Sequence, residues 1–337
     1  LKNKSRAGRW LVIAIVVSLN LWAAAALYFD SQSASSRAPA AIIYSGSIAA
    51  VLITSKGHGR GAIICLCAFA CVLIWWLSLK PSNDRPWQPD VAQTAWTEIN
   101  GGRVTIHNFR NCDYRTEGDY TPHWETRTYD LAKLRAVDFF LIHWGSPWIA
   151  HPIVSFDFGD QGHVAISVET RKEMGKAYSS VRGFFRYYEL IYVVSDERDV
   201  VRLRANYRQH EDLYLYRTRA TPQLGRMIFL DYLQRANRLR EHPEWFNALT
   251  NNCTTNISHH LADSGHRNFS RWDWRIVLNG RADEMLYEHG DLAGDLPFDD
   301  LKSRALINPA ARAADQASDF SDRIRQDRPG FEENKVR

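Results

Sequence analysis

Three long apolar runs dominate the first eighty residues. Residues 10–29 (WLVIAIVVSLNLWAAAALYF), 38–54 (APAAIIYSGSIAAVLIT) and 61–79 (GAIICLCAFACVLIWWLSL) contain no charged residue. A helix rises about 1.5 Å per residue, so about 20 residues cross a hydrocarbon core about 30 Å thick. The pattern predicts three membrane-spanning helices, the second near the lower length limit. Trp10, Trp75 and Trp76 stand towards run ends, where interfacial aromatics collect. A cleaved signal peptide explains the first run poorly, because the run is long for one and two more follow.

Beyond residue 80 the period changes. Residues 81–102 belong to a Pro-rich, polar stretch (LKPSNDRPWQPDVAQTAWT at 80–98) and read as a linker. Alternation predicts strands at 103–109, 187–194 and 212–218, and a short helix running into a strand at 129–142. The strongest local signal lies in HPIVSFDFGDQGHVAISVETRKE. Two period-2 runs, 151–158 and 163–170, flank Gly159, Asp160 and Gly162, which predicts a hairpin. Leu224, Met227, Ile228, Tyr232 and Leu233 recur at helical spacing and predict a helix over 221–240. A second helix starts near Asn251–Thr254 and runs through His260. Short helical patterns follow, and 321–337 read as a flexible tail. The expected organisation is a membrane anchor at 1–80 and an α+β domain at 103–320.

Charge sharpens this picture. Of the 42 basic and 38 acidic residues, eight and one fall in 1–80, which leaves 34 and 37 in 81–337, a balance of −3. A near-neutral main domain argues against a nucleic-acid partner. Lys2, Lys4, Arg6 and Arg9 precede the first run, and Lys56 and Arg60 lie between the second and third. The positive-inside rule puts both segments in the cytoplasm, and three crossings then place 81–337 outside. A second run that failed to cross would return it.

Cys65, Cys67 and Cys71 sit in the third run as small apolar fillers. Cys112 and Cys253 remain for the outer domain, where one disulfide is the plain reading. The surroundings of Cys253 suggest another. In NNCTTNISHHL (251–261), Asn and Thr favour a helix N-cap. A thiol in the first turn meets the positive end of the helix dipole, which lowers its pKa. The hairpin offers a base. With the turn centred on Asp160, residues whose numbers sum to 320 stand opposite, so His151 faces Glu169 and Asp157 faces His163. The imidazole takes the thiol proton and the carboxylate orients the ring. A one-residue shift of the turn would undo the pairing, and His163 is the competing base or orienter. Ser167 and Asn252 offer oxyanion donors, against plain roles as network member and helix cap. Arg171 offers a cation for a lipid phosphate, against a solvated strand end. His259 and His260 lack further partners at metal-binding spacing, and no CxxC or HExxH occurs, so no cofactor is expected.

Five segments together carry a resemblance: IAHPIVSF (149–156), VAISVETRKE (164–173), YYELIYVVSDERD (187–199), WFNALTNNCTT (245–255) and WDWRIVLNG (272–280). Over about 105–308 the chain resembles the Lnb-type periplasmic domain family. The resemblance implies a permuted papain-like (NlpC/P60-like) α+β fold, in which His precedes Cys, with an antiparallel sheet and a Cys-bearing helix. It implies a membrane-tethered thiol acyltransferase of the bacterial inner membrane with its large domain in the periplasm. A phospholipid would donate an acyl chain through a Cys thioester to an amine, such as the amino terminus of a lipoprotein. Carried over, Cys253 is the nucleophile, His151 the base, and Glu169 or His163 the third member. Two rivals stand beside this reading. A cysteine peptidase or amidase acting on cell-wall peptide would use the same dyad with water, in a wide polar groove. A non-enzymatic envelope scaffold would keep Cys253 away from His151, with a Cys112–Cys253 bridge.

Overall fold

The structure, a computed structural model, describes residues 2–31, 34–55, 58–257, 273–276 and 278–332. The predicted continuation of the Cys253 helix, with His259 and His260, lies outside these residues. The chain divides into two compact units, one of residues 1–82, 178–189 and 245–247, the other of the remainder.

The first unit is built on α1 (Lys2–Asp30), α2 (Ala34–Thr54) and α3 (His58–Ser78). All three are long and apolar enough to cross a bilayer. Val16, Ile48 and Cys65 meet at their centre. The few polar groups are paired: Tyr44 donates to Asn20 Oδ1 at 2.6 Å and the Trp76 indole to Asp30 at 2.7 Å. Arg186 caps α3 by donating to the carbonyls of Trp76, Leu77 and Leu79, where a helix end leaves acceptors unpaired and favours a cation.

The second unit is a sheet with helices on both faces. Its strands are β1 (Trp96–Asn100), β2 (Arg103–Arg110), β3 (Asp113–Tyr114), β4 (Tyr120–Thr121), β5 (Trp124–Asp130), β6 (Ala136–Trp144), β7 (Ala150–Asp157), β8 (His163–Arg171), β9 (Glu189–Ser195) and β10 (Glu211–Arg217). Among the described residues the main sheet has the order β1-β2-β9-β8-β7-β6-β10, with β5 also on β2, while β3 and β4 pair apart. The expected antiparallel sheet needs one correction. β2 and β9 run parallel, joined at Arg110–Ser195, so the sheet is mixed.

Alternation along β6 and β7 divides the core. Phe140, Ile142 and Ile153 face Val200, Val201, Ile307, Phe320 and Ile324. Phe139, Leu141 and Ala150 face Ala282, Leu286 and Leu301. Helix α4 (Pro222–Glu241) covers β7 with Phe229 and Tyr232 against Phe156. Thr221 caps it and Pro222 opens it, a pre-set helical φ without a lost bond.

Three further expectations are corrected. The linker at 81–102 is folded into the domain: Trp87 and Val91 are buried and β1 forms the sheet edge. The predicted helix within 129–142 is one short turn, Leu131–Lys133, between β5 and β6, because its apolar residues alternate towards the sheet. The tail at 321–337 is packed as far as it is described. Ile324 is fully buried, and Arg325 pairs with Asp138 at 2.8 Å and Glu197 at 2.6 Å. Removing one partner of a buried pair leaves uncompensated charge and costs about 3–5 kcal/mol. Arg325→Gln is therefore expected to lower the unfolding free energy by about 3 kcal/mol, read by denaturant melts of the full chain in detergent. An unchanged midpoint would show that the tail contributes nothing.

Candidate active site

The hairpin register is the predicted one. Asp157 stands opposite His163, Ser155 opposite Ala165, and Ile153 opposite Ser167. Beyond the Ile153–Ser167 pair, His151 and Glu169 meet through side chains, with Nε2 3.2 Å from Oε1. Ser167 Oγ sits between them. It donates to Glu169 Oε1 at 2.7 Å and lies 2.7 Å from His151 Nε2. A hydroxyl has one proton, so Nε2–H must donate to Ser167. That fixes the tautomer and leaves Nδ1 as the basic atom, which makes no hydrogen bond to any described residue.

Glu169 is held from its other side. Arg204, buried in the π-helical turn Leu203–Tyr207, donates to Oε1 at 2.8 Å and also pairs with Glu211. A π-bulge re-aims side chains, and here it turns a guanidinium under the sheet. Burial opposes the Glu169 charge, but His151 and Arg204 hold its carboxyl well below the usual carboxylate range. Burial and the Arg204 charge push the His151 imidazole below its ordinary value, against the pull of Glu169. The resting relay is a neutral imidazole, a hydroxyl and an anion.

Cys253 opens the helical turn 253–257. Asn252 caps it, its Oδ1 accepting from the amides of Thr254 and Thr255 at 2.9 Å. One N–H of its Nδ2 goes to the Ala248 carbonyl at 2.7 Å, so Asn252 serves as the helix cap with its Oδ1 and anchors the turn with its amide. Cys253 is half-buried and Cys112 buried, and both are free thiols, so no bridge joins them. The expected lowering of the thiol pKa is reversed. Burial pushes it up to about 11, outweighing the Thr254 hydroxyl and the first-turn amides, and the Glu169 charge adds to the rise.

One residue not singled out from the sequence ties these parts together. Asn279 exchanges two hydrogen bonds with the backbone of Ala150, at 2.8 and 2.7 Å. Its Nδ2 also lies 2.5 Å from Thr254 Oγ1 and 3.9 Å from Cys253 Sγ. The Cys253 turn is thereby fastened to the residue before His151. Ala150 and His151 point to opposite sides of β7. The clamp holds the Cys253 turn beside the backbone that carries His151, at the end where the β7–β8 ladder stops. Gly280 makes the clamp possible, since a Cβ there would lie 2.2 Å from the Pro147 carbonyl oxygen. The signal was present as the asparagine and glycine of WDWRIVLNG.

The structure puts two other candidates elsewhere. His163 stands at the turn end of the hairpin, 3.9 Å from Asp157, and joins the buried charges of Asp138 and Glu197. Arg171 is buried, not a solvated strand end, and does not face the site. It donates to the carbonyls of Val91 and Ala92 and to Asn83 Oδ1, with its guanidinium over Trp87. It fastens the 83–92 segment to the domain.

An apolar cavity borders the Cys253 turn, lined by Thr254, Ile257, Pro152, Val154, Phe139 and Ile276 among others. A second, open and more polar pocket of about 620 Å³ lies at the β6–β7 turn, with His143, Trp148, Tyr214, Gly280 and Arg281 in its wall.

The architecture is a mixed α+β domain with a thiol and an ordered His–Ser–Glu relay, in a chain with three bilayer-length helices. Residues 120–280 match the family model of the Lnb N-terminal periplasmic domain. The family and the three apolar helices fit a membrane protein with a periplasmic domain. No curated protein and no solved structure matches the chain.

The raised thiol pKa has a direct consequence. Alkylation of Cys253 by iodoacetamide, followed by peptide mass spectrometry, is expected to be slow at neutral pH and to climb as the pH rises towards 11. A rate already at its plateau below pH 7 would mean a preformed thiolate.

Proposed function

We propose that this protein is a membrane-anchored thiol acyltransferase, moving an acyl chain from a phospholipid through a Cys253 thioester to an amine. The observation that carries the reading is the apolar cavity against the Cys253 turn. A peptidase needs a polar groove at its thiol, whereas Ile257, Ile276, Val154 and Phe139 offer hydrocarbon to a chain beside Thr254. In this reading the order His151 then Cys253 is that of the permuted papain-like domain.

The proton begins on sulfur, because the resting thiol and imidazole are both neutral. As Cys253 Sγ attacks the ester carbonyl, its proton passes to His151 Nδ1, and the imidazolium is stabilised through Ser167 by Glu169. The Cys253 amide, the first-turn N–H not taken by the Asn252 cap, meets the developing oxyanion. Collapse breaks the C–O bond, and the lysophospholipid leaves with the imidazolium proton. An amine then attacks the thioester, gives a proton to His151, and releases the acyl amide as the thiol is re-protonated. The amine of a lipoprotein is the acceptor that the family suggests. The open pocket at the β6–β7 turn, which reaches Gly280 beside the Asn279 clamp, favours a second reading, hydrolysis of cell-wall peptide, in which water replaces the amine.

Full-length protein with phosphatidylethanolamine vesicles and a lipoprotein-like amine is expected to release lysophospholipid and form an acyl amide. Cys253→Ala abolishes both, and His151→Gln lowers the rate by about 10²–10⁴-fold. Amide formation that survives in Cys253→Ala would exclude the mechanism, and cleavage of peptide without acyl transfer would favour the second reading.

A further inference from the structure

Four large apolar side chains are exposed together at one end of the sheet domain. Trp148 is 52% exposed, Ile149 45%, Trp274 48% and Leu278 40%. The two indoles lie side by side with centroids 6.3 Å apart. Trp148 and Ile149 form the approach to β7, one residue before Ala150. Trp274 and Leu278 flank Ile276, which turns inward, 5% exposed, to line the apolar cavity with Thr254 and Ile257. Asn279, next in the chain, fastens that segment to Ala150 and to the Cys253 turn. Exposed rim, cavity wall and thiol clamp are thus consecutive in one short stretch.

The rim offers little free charge. Arg275 is neutralised by Asp273 and Glu288, and Arg281 by Glu284. Paired tryptophans beside aliphatic side chains make up the composition of a membrane interface, where an indole buries its ring and keeps its N–H wet. A contiguous exposed apolar patch on a folded domain marks an interaction site. Three helices of bilayer length in the same chain keep lipid at high effective concentration.

We infer that the Trp148–Ile149 and Trp274–Leu278 rim inserts into the lipid bilayer and that an acyl chain passes Ile276 into the cavity beside Cys253. The route to Cys253 rests on the acyl-transfer reading, whereas the insertion does not. Amphipathic insertion of a few aromatic and aliphatic side chains needs no further spanning segment.

The test uses the full chain in vesicles of phosphatidylethanolamine and phosphatidylglycerol doped with a phospholipid bearing a diazirine on one acyl chain. Irradiation and peptide mass spectrometry are expected to give adducts at 148–149 and 274–278 besides those in the spans, in wild type and Cys253→Ala alike. Trp148→Glu with Trp274→Glu is expected to cut rim adducts about tenfold, one decade in binding constant. Replacing both with alanine, which adds no charge, is expected to give a smaller cut in the same direction. Adducts confined to residues 8–78, rim adducts insensitive to both double variants, or rim cross-links to a second protein chain would each overturn the inference. Rim adducts without lysophospholipid release would sink the acyl-transfer reading while leaving the insertion standing. Release without rim adducts would do the reverse.

Discussion

The pairing register of one hairpin governs the candidate site. Side chains alternate along a strand, so a slip of one residue between β7 and β8 would send every group to the other face. With Asp157 opposite His163 and Ile153 opposite Ser167, His151, Ser167 and Glu169 converge on one side. The short turn through Gly159 and Gly162, both at positive φ, sets that register locally. The apolar set Ile153 and Ala165, buried on the same face, enforces it globally. Local turn chemistry and core burial therefore demand the same alignment, and the relay is carried along with it.

Electrostatics then assigns each group its state. Burial, with the Arg204 charge beneath the relay, keeps the imidazole neutral, and Arg204 helps His151 hold Glu169 ionised. Burial keeps the thiol protonated. A site so arranged holds no thiolate–imidazolium pair at rest. Under the proposed mechanism its proton transfer accompanies nucleophilic attack, when a substrate completes the apolar surroundings and the developing charge finds the first-turn amide. On the same face, towards the turn end of the hairpin, a second ionic group, Arg325 with Asp138 and Glu197, uses buried charge differently, to hold the C-terminal segment in place.

Much of this was legible from local pattern. The three apolar runs, the hairpin and its register, α4, and the Asn-capped cysteine turn each follow from periodicity or turn chemistry confined to a few residues. What escaped depended on distant partners. Residues 83–92 look like a linker because they are polar and Pro-rich, yet Arg171 and Trp87 fold them onto the domain through contacts some eighty residues apart in the chain. His163 and His151 are equivalent by sequence. Their difference comes from Arg204 at one end of the hairpin and Arg325 near the other, neither of which a strand pattern reveals. Asn279 is an unremarkable polar residue until the fold sets it between Ala150 and Thr254. The thiol pKa was misjudged because the helix-end effect is local and visible, whereas burial is a property of the whole domain.

The central claim is that Cys253 becomes covalently acylated by membrane lipid. The most direct measurement is the intact mass of the full-length protein after incubation with phospholipid vesicles, without an acceptor amine, followed by mapping of the modified peptide. The account predicts one added acyl chain on Cys253, removed by hydroxylamine as a thioester is. A mass unchanged under conditions that release lysophospholipid, or an acyl group found on any other residue, would contradict it.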